Sequence, residues 1–298
     1  MNSPDLEAEP HRVGESGHGH VDVARAVSRT SNRAMTGREP EAKHVSPRTR
    51  AWLEWVALTS IPVRHLDQND LPIGSASGCL LDYKGRRFLL SAAHAISMRS
   101  TGWVMEMESN SRGTEFFRIP RMNYVGEIVR GKGRMREIDL CYIEVPPNLG
   151  SIFRLHTPMV VGPPQPRHVF ETDLSSIPTH DQLFGFSGHV RLERHGDVGL
   201  AGELAVYPGL SFLRSEDDFH VFKLPVPHPG HEHFQGCSGA PIVNAKRELV
   251  GIVSGGDADD DTIRGVSLTR YKYVLDFLCS NTLPAKSFAL GITRVSSS

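Results

Sequence analysis

Only four of the 298 residues are cysteine: Cys79, Cys141, Cys237 and Cys279. They are too few to staple a chain of this length, and their spacing matches no metal-binding pattern. Three lie inside apolar runs, where a reduced thiol packs as a small hydrophobe, so free thiols are expected. No apolar run is long enough for a membrane-spanning helix. Met1 to Pro10 lacks the basic start and apolar stretch of a secretory leader, which makes the cytoplasm the expected location. An excess of one charge is missing too, since 33 Lys and Arg meet 34 Asp and Glu. That balance offers no general pull toward nucleic acid or an anionic membrane, and neither is expected as a partner. Arg130, Lys132, Arg134 and Arg136 form a local basic stretch, which a solvated loop explains better than a phosphate contact.

What is present is ordinary for a soluble globular chain: 39% hydrophobic and 22% charged residues, enough for one large domain or two packed halves. Residues 1–48 are polar and lack apolar periodicity apart from Val21–Val27. They read as a disordered arm, a candidate docking element for a regulatory partner. Gly17-His18-Gly19-His20 within it reads as solvated tail rather than a metal site. From Ala51 onward the chain is a series of short apolar runs divided by turn residues. Gly78–Leu81 and Arg87–Leu90, joined through Asp82–Gly85, predict a β-hairpin. A Pro-rich passage from Pro158 to Pro166 separates two halves, giving regions 49–157 and 158–281 and a tail at 282–298. One segment has clear helical spacing: Leu268, Tyr271, Leu275 and Leu278, ended by Asn281 and Pro284. The pattern is all-β, sandwich or barrel, with a C-terminal helix.

Three segments carry chemistry. Ser91-Ala92-Ala93-His94 places a histidine after small residues at the end of an apolar strand. Ile138-Asp139-Leu140-Cys141 sets an acid among bulky apolar residues, where an ionised carboxylate needs hydrogen bonds or a partner charge. Alone, each has a bland explanation, a satisfied core histidine or a strand-end cap. Gln235-Gly236-Cys237-Ser238-Gly239-Ala240-Pro241 is more specific. Flanking glycines let the chain turn sharply and present the Ser238 hydroxyl, while Gly236 can aim a backbone N–H at the same point.

Ser-Ala-Ala-His, an Asp-Leu strand and Gly-x-Ser-Gly-x-Pro, in that order, resemble the chymotrypsin (trypsin-like) family of serine peptidases. The resemblance covers roughly Trp52 to Leu278. It implies two packed six-stranded antiparallel β-barrels, with His94 and Asp139 from the first and Ser238 from the second. It further implies a serine endopeptidase acting on protein or peptide substrates without a cofactor or metal. His94, Asp139 and Ser238 would be the catalytic triad, and the N–H groups of Gly236 and Ser238 the oxyanion hole. Ser254, Gly255 and Gly256 would pair with the substrate backbone. Glu232, six residues before Ser238, would sit at the base of the specificity pocket and favour Lys or Arg.

The chain also departs from the family. Cys237 stands where digestive relatives carry the aspartate that pairs with a new N-terminus, and no Ile-Val-Gly-Gly-type sequence precedes the barrel. No zymogen step of that kind is expected, so other contacts must order the oxyanion loop. Ala95 and Ala240 replace a common Cys and Gly. Cys237 is a rival nucleophile by chemistry, but neighbours in a tight turn point apart, and the family places its nucleophile at Ser238. The cluster His228, His231, Glu232 and His233 has ligand-type side chains without a zinc motif. A catalytically silent binding module of the same fold, or a latent peptidase needing a partner, is the alternative to an active enzyme.

Overall fold

The computed structural model describes residues 45–96, 102–110, 113–129, 134–154, 162–195, 199–280 and 292–295. Most of the expected arm, Gly17–His20 within it, most of the expected tail, and Arg130 and Lys132 lie outside that set. The described chain opens on a helix absent from the sequence reading, α1 at Pro47–Ala57. Ser46 caps it by accepting the Thr49 N–H at 3.1 Å, and Pro47 occupies the first turn, where its missing N–H costs nothing.

Seven strands follow: β1 (Ile61–Leu66), β2 (Pro72–Tyr83), β3 (Arg86–Ser91), β4 (Trp103–Asn110), β5 (Gly113–Arg118), β6 (Asn123–Val129) and β7 (Arg134–Val145). Short strands β8 (Ile152–Phe153), β9 (Gln165–Pro166) and β10 (Val169–Glu171) bridge to the second half. There, β11 (Leu183–His195), β12 (Gly199–Glu216), β13 (Phe219–Lys223), β14 (Pro241–Asn244), β15 (Leu249–Asp257) and β16 (Thr262–Ser267) precede helix α2 (Leu268–Ser280), and β17 (Ile292–Val295) comes last. The expected hairpin is β2–β3, turning at Lys84 and Gly85. Both take positive φ, 48° and 79°, the conformation that matches the twist of the flanking strands.

The second half closes as the expected six-stranded barrel, in the order β11-β12-β13-β16-β15-β14. Phe184, Phe186, Leu210, Phe222, Ile242 and Val250 fill it. The first half differs from a closed six-stranded barrel. Its hydrogen-bonded path runs β17-β5-β4-β1-β2-β3-β7-β6, with β10 added parallel to β2. The path stays open because β17 takes the edge of β5 that closure would need. The sheet still curls, since β2 pairs with β1 through residues 72–78 and with β3 through residues 79–83. Gly78 marks this corner, where a Cβ would fall 2.9 Å from the Leu90 carbonyl oxygen. Ile61, Leu80, Leu89 and Met105 pack inside.

A further core, including Leu53, Leu90, Leu140, Ile252 and Leu275, joins the halves. The ends of the chain cross over it. Helix α1 precedes the first half yet packs on the second, its Trp52 indole donating to the Asn244 carbonyl at 3.1 Å. Helix α2 lies where its spacing predicts, burying Leu268, Tyr271 and Leu275, and it reaches back to the first half. There Asp276 accepts from Tyr83 at 2.7 Å and from Lys84 at 2.6 Å. Among the described residues all four cysteines are free thiols, and no helix is long and apolar enough to cross a membrane.

Candidate active site

His94, Asp139 and Ser238 meet where the two halves face each other. Ser91, the last residue of β3, donates its hydroxyl to the Ser77 carbonyl at 2.6 Å, and the small residues Ala92 and Ala93 then let the chain turn and present His94. Asp139 owes its aim to a bulge. Tyr124 pairs with Cys141 and Gly126 with Glu137, so Val125 alone opposes residues 138–140. Such extra length bends a strand and re-aims a side chain.

One carboxylate oxygen of Asp139 accepts the His94 backbone N–H at 2.8 Å, and the other accepts His94 Nδ1–H at 2.7 Å. The ring proton therefore sits on Nδ1, leaving the Nε2 lone pair 2.9 Å from Ser238 Oγ to accept its proton. Ser254 also donates to Asp139. Sequence reasoning assigned Ser254 to the substrate wall and missed this bond, which depends on where β15 ends against β7. Burial alone would raise the Asp139 pKa, but the bonds from the His94 ring, Ser254 and the His94 backbone hold it below the ordinary carboxylate value. The hydrogen bond to Asp139 raises the His94 pKa above 6.5, against an opposing contribution from burial.

The Ser238 loop is held by the first half. Ser77 donates its hydroxyl to the Gly236 carbonyl at 2.7 Å and its N–H to the Ser238 carbonyl at 2.8 Å. These bonds order the loop. Within the loop the N–H groups of Gln235, Cys237 and Gly239 are taken by carbonyls of Glu232, Phe234 and Val253. Those of Gly236 and Ser238, the two expected oxyanion donors, have no acceptor among the described residues. Gly236 takes φ +97°, and a Cβ there would fall 2.1 Å from the His189 carbonyl oxygen. Only glycine fits.

Cys237 faces the other way. Its side chain is fully buried, and its Sγ lies where a Cβ on Gly188 would come within 2.7 Å. Burial drives its pKa up, so it stays a neutral thiol.

Beside Ser238 lies an open cavity of about 350 Å³ whose walls include Phe234, Val253 and Ile263. Ser254, Gly255 and Gly256 line it as expected residues of its wall. Among the described residues, β15 from Ser254 on pairs only with β16, because its last partner in β14 faces Ile252, so one strand edge is left open. Glu232 is not at the cavity base. It sits on a single 3₁₀ turn, His231–Phe234, with its side chain 84% exposed and its carboxylate 3.9 Å from His233. The turn carries it outward to the rim, whereas His228 reaches inward. His228, His231, Glu232 and His233 do not converge, and no group of possible metal ligands comes together among the described residues.

No family model matches the sequence, and no curated protein does. Several solved structures are similar in shape. A serine endoprotease from Yersinia pestis is 14% identical, with 80% of this chain and 69% of that one covered, at a TM-score of 0.48. The serine protease of a human pathogenic astrovirus is 11% identical, with 73% and 93% covered, at 0.37. The tobacco etch virus protease, in complex with product, is 13% identical, with 79% and 82% covered, at 0.39. At such identities these likenesses do not say what the chain does.

Proposed function

We propose that the chain is a serine endopeptidase that hydrolyses peptide bonds through an acyl-enzyme. The observation that carries this reading is the unbroken hydrogen-bond chain from Ser238 through His94 to Asp139, assembled from both halves. His94 Nε2 takes the Ser238 proton as the oxygen attacks a peptide carbonyl, and the C–N bond electrons leave with the amine as the imidazolium protonates it. Water then repeats the sequence on the ester and frees Ser238. Asp139 fixes the imidazole tautomer and stabilises the imidazolium. The free N–H groups of Gly236 and Ser238 suit the oxyanion, each such donor being worth on the order of 3–4 kcal/mol. The open edge of β15 suits an extended peptide, which would add to it as a strand. No step calls for a cofactor.

A tagged fluorophosphonate tests the reading, because it labels only an activated serine. Labelling of Ser238 that vanishes in Ser238→Ala and in His94→Ala is the expected result. A wild-type protein that stays unlabelled would refute an assembled nucleophile and leave a binding module of this fold.

A further inference from the structure

Ser77 commits all three of its polar groups to the catalytic loops. Its hydroxyl donates to the Gly236 carbonyl at 2.7 Å, and its N–H donates to the Ser238 carbonyl at 2.8 Å. Its own carbonyl accepts the hydroxyl of Ser91, where the turn to His94 begins, at 2.6 Å. The residue is fully buried in β2 of the first half, whereas the loop it grips belongs to the second. The approach is close, since a Cβ on Gly239 would fall 1.9 Å from the Ser77 carbonyl oxygen.

The hydroxyl acts at a particular place in the loop. Between the Gly236 and Ser238 N–H groups lies a single peptide group, the one joining Gly236 to Cys237. Its N–H donates to the Phe234 carbonyl at 2.9 Å, and its carbonyl accepts from Ser77 Oγ and from no other described residue. The peptide group before it, which carries the Gly236 N–H, has no bond at either end among the described residues, because the Gln235 carbonyl lacks a partner too. It hangs on Gly236, a residue with wide backbone freedom. The aim of both donors is therefore set through the peptide group between them, and a single side-chain hydroxyl holds its carbonyl. Removing that hydroxyl leaves the carbonyl of a buried residue unsatisfied. The peptide group then gains by turning toward another donor, and the flanking N–H groups turn with it. A misaimed pair stabilises the transition state less and leaves ground-state binding as it was. We infer that Ser77 is a positioning residue whose hydroxyl, reaching from the first half, aims the two oxyanion donors of the second. This rests on the endopeptidase reading above.

Ser77→Ala removes the hydroxyl and keeps both backbone bonds of residue 77. It is compared with the wild type on a fluorogenic peptide that the wild type cleaves, with the aldehyde of the same peptide as inhibitor. The aldehyde carbon bonds to Ser238 Oγ, whose proton passes to His94 Nε2, and the carbonyl electron pair moves onto the oxygen that the two N–H groups hold. In Ser77→Ala, kcat should fall by about ten- to a hundredfold, short of the roughly 10²–10³-fold loss when a donor is deleted outright. The inhibition constant of the aldehyde should rise by about the same factor. KM and the midpoint of the pH profile should match the wild type, because the bond between His94 and Asp139 is untouched. An inhibition constant does not depend on how much of the variant is folded, so mere instability would not move it. Ser77→Cys, a weaker donor, should fall between the two, and it carries the same comparison if the alanine variant does not fold. A kcat within about threefold of the wild type, or a lower kcat with an unchanged inhibition constant, overturns the inference. Fluorophosphonate labelling of the wild type separates the two layers. A labelled Ser238 with an indifferent Ser77→Ala removes only the role of Ser77, whereas an unlabelled Ser238 removes the peptidase reading and this inference with it.

Discussion

Asp139 uses both carboxylate oxygens on His94, one for the backbone N–H and one for the ring, and takes a third bond from Ser254. A group so bound favours the imidazolium, so His94 releases its proton only above the ordinary histidine value of 6.5. Because the neutral ring is the base, kcat/KM should rise with pH through a midpoint above 6.5. A midpoint well below it would contradict the assignment of His94. Asp139→Asn should lower kcat by about 10⁴-fold at neutral pH, the loss known when this carboxylate is neutralised in a Ser-His-Asp enzyme. His94, Asp139 and Ser238 were legible in sequence because each sits in a short motif of small or apolar residues. The bond from Ser254 to Asp139 was not, because it depends on how far β15 runs. Glu232 shows the same limit from the other side: its count back from Ser238 was right, and a 3₁₀ turn carried its side chain to the rim.

Helix α2 is the element whose sequence spoke most plainly, with its apolar residues three and four apart and three of them buried. Leu275 is 5% exposed in the core shared by the halves. Leu275→Ala should therefore cost about 3 kcal/mol in a urea titration, the middle of the range for such a truncation. A change under about 1 kcal/mol would mean the helix is not sealing that core. Helix α1 carried equally good start signals in Ser46 and Pro47, but these lie within a stretch whose composition reads as arm. Strand β17 had no comparable signal. Its four residues, Ile292–Val295, become a strand by pairing with β5, a partner far away in sequence. That distant pairing is also why the open path of the first sheet could not be foreseen.

At the scale of the whole molecule, two buried imidazoles, His189 and His220, are held neutral. His189 accepts from Arg167 at 3.3 Å with Arg64 also near, and burial followed by those two charges pushes its pKa well below 6.5. Burial brings His220 down to about 4. Unfolded, both rings would take up protons near pH 6.5, so the unfolded state binds more protons between there and the folded values. Stability should be complete above pH 6.5 and fall as the pH drops toward 4, by about 3 kcal/mol from His220 alone. The raised pKa of His94 acts in the opposite sense, but its side chain is half exposed and its share is smaller. Melting temperatures at pH 7.5, 5.5 and 4.5 would check this, and a flat profile would refute it.

The crossing of the chain ends also has a meaning in time. Synthesis runs from the N-terminus, so α1 emerges before the barrel it packs on, and the first half is made before the helix and strand that close over it. His94 and Asp139 can come together early, yet Ser77 has no loop to grip and Ser238 does not exist until much later. The three side chains can align only once Ser238 and the strand β15 that brings Ser254 to Asp139 have both been made.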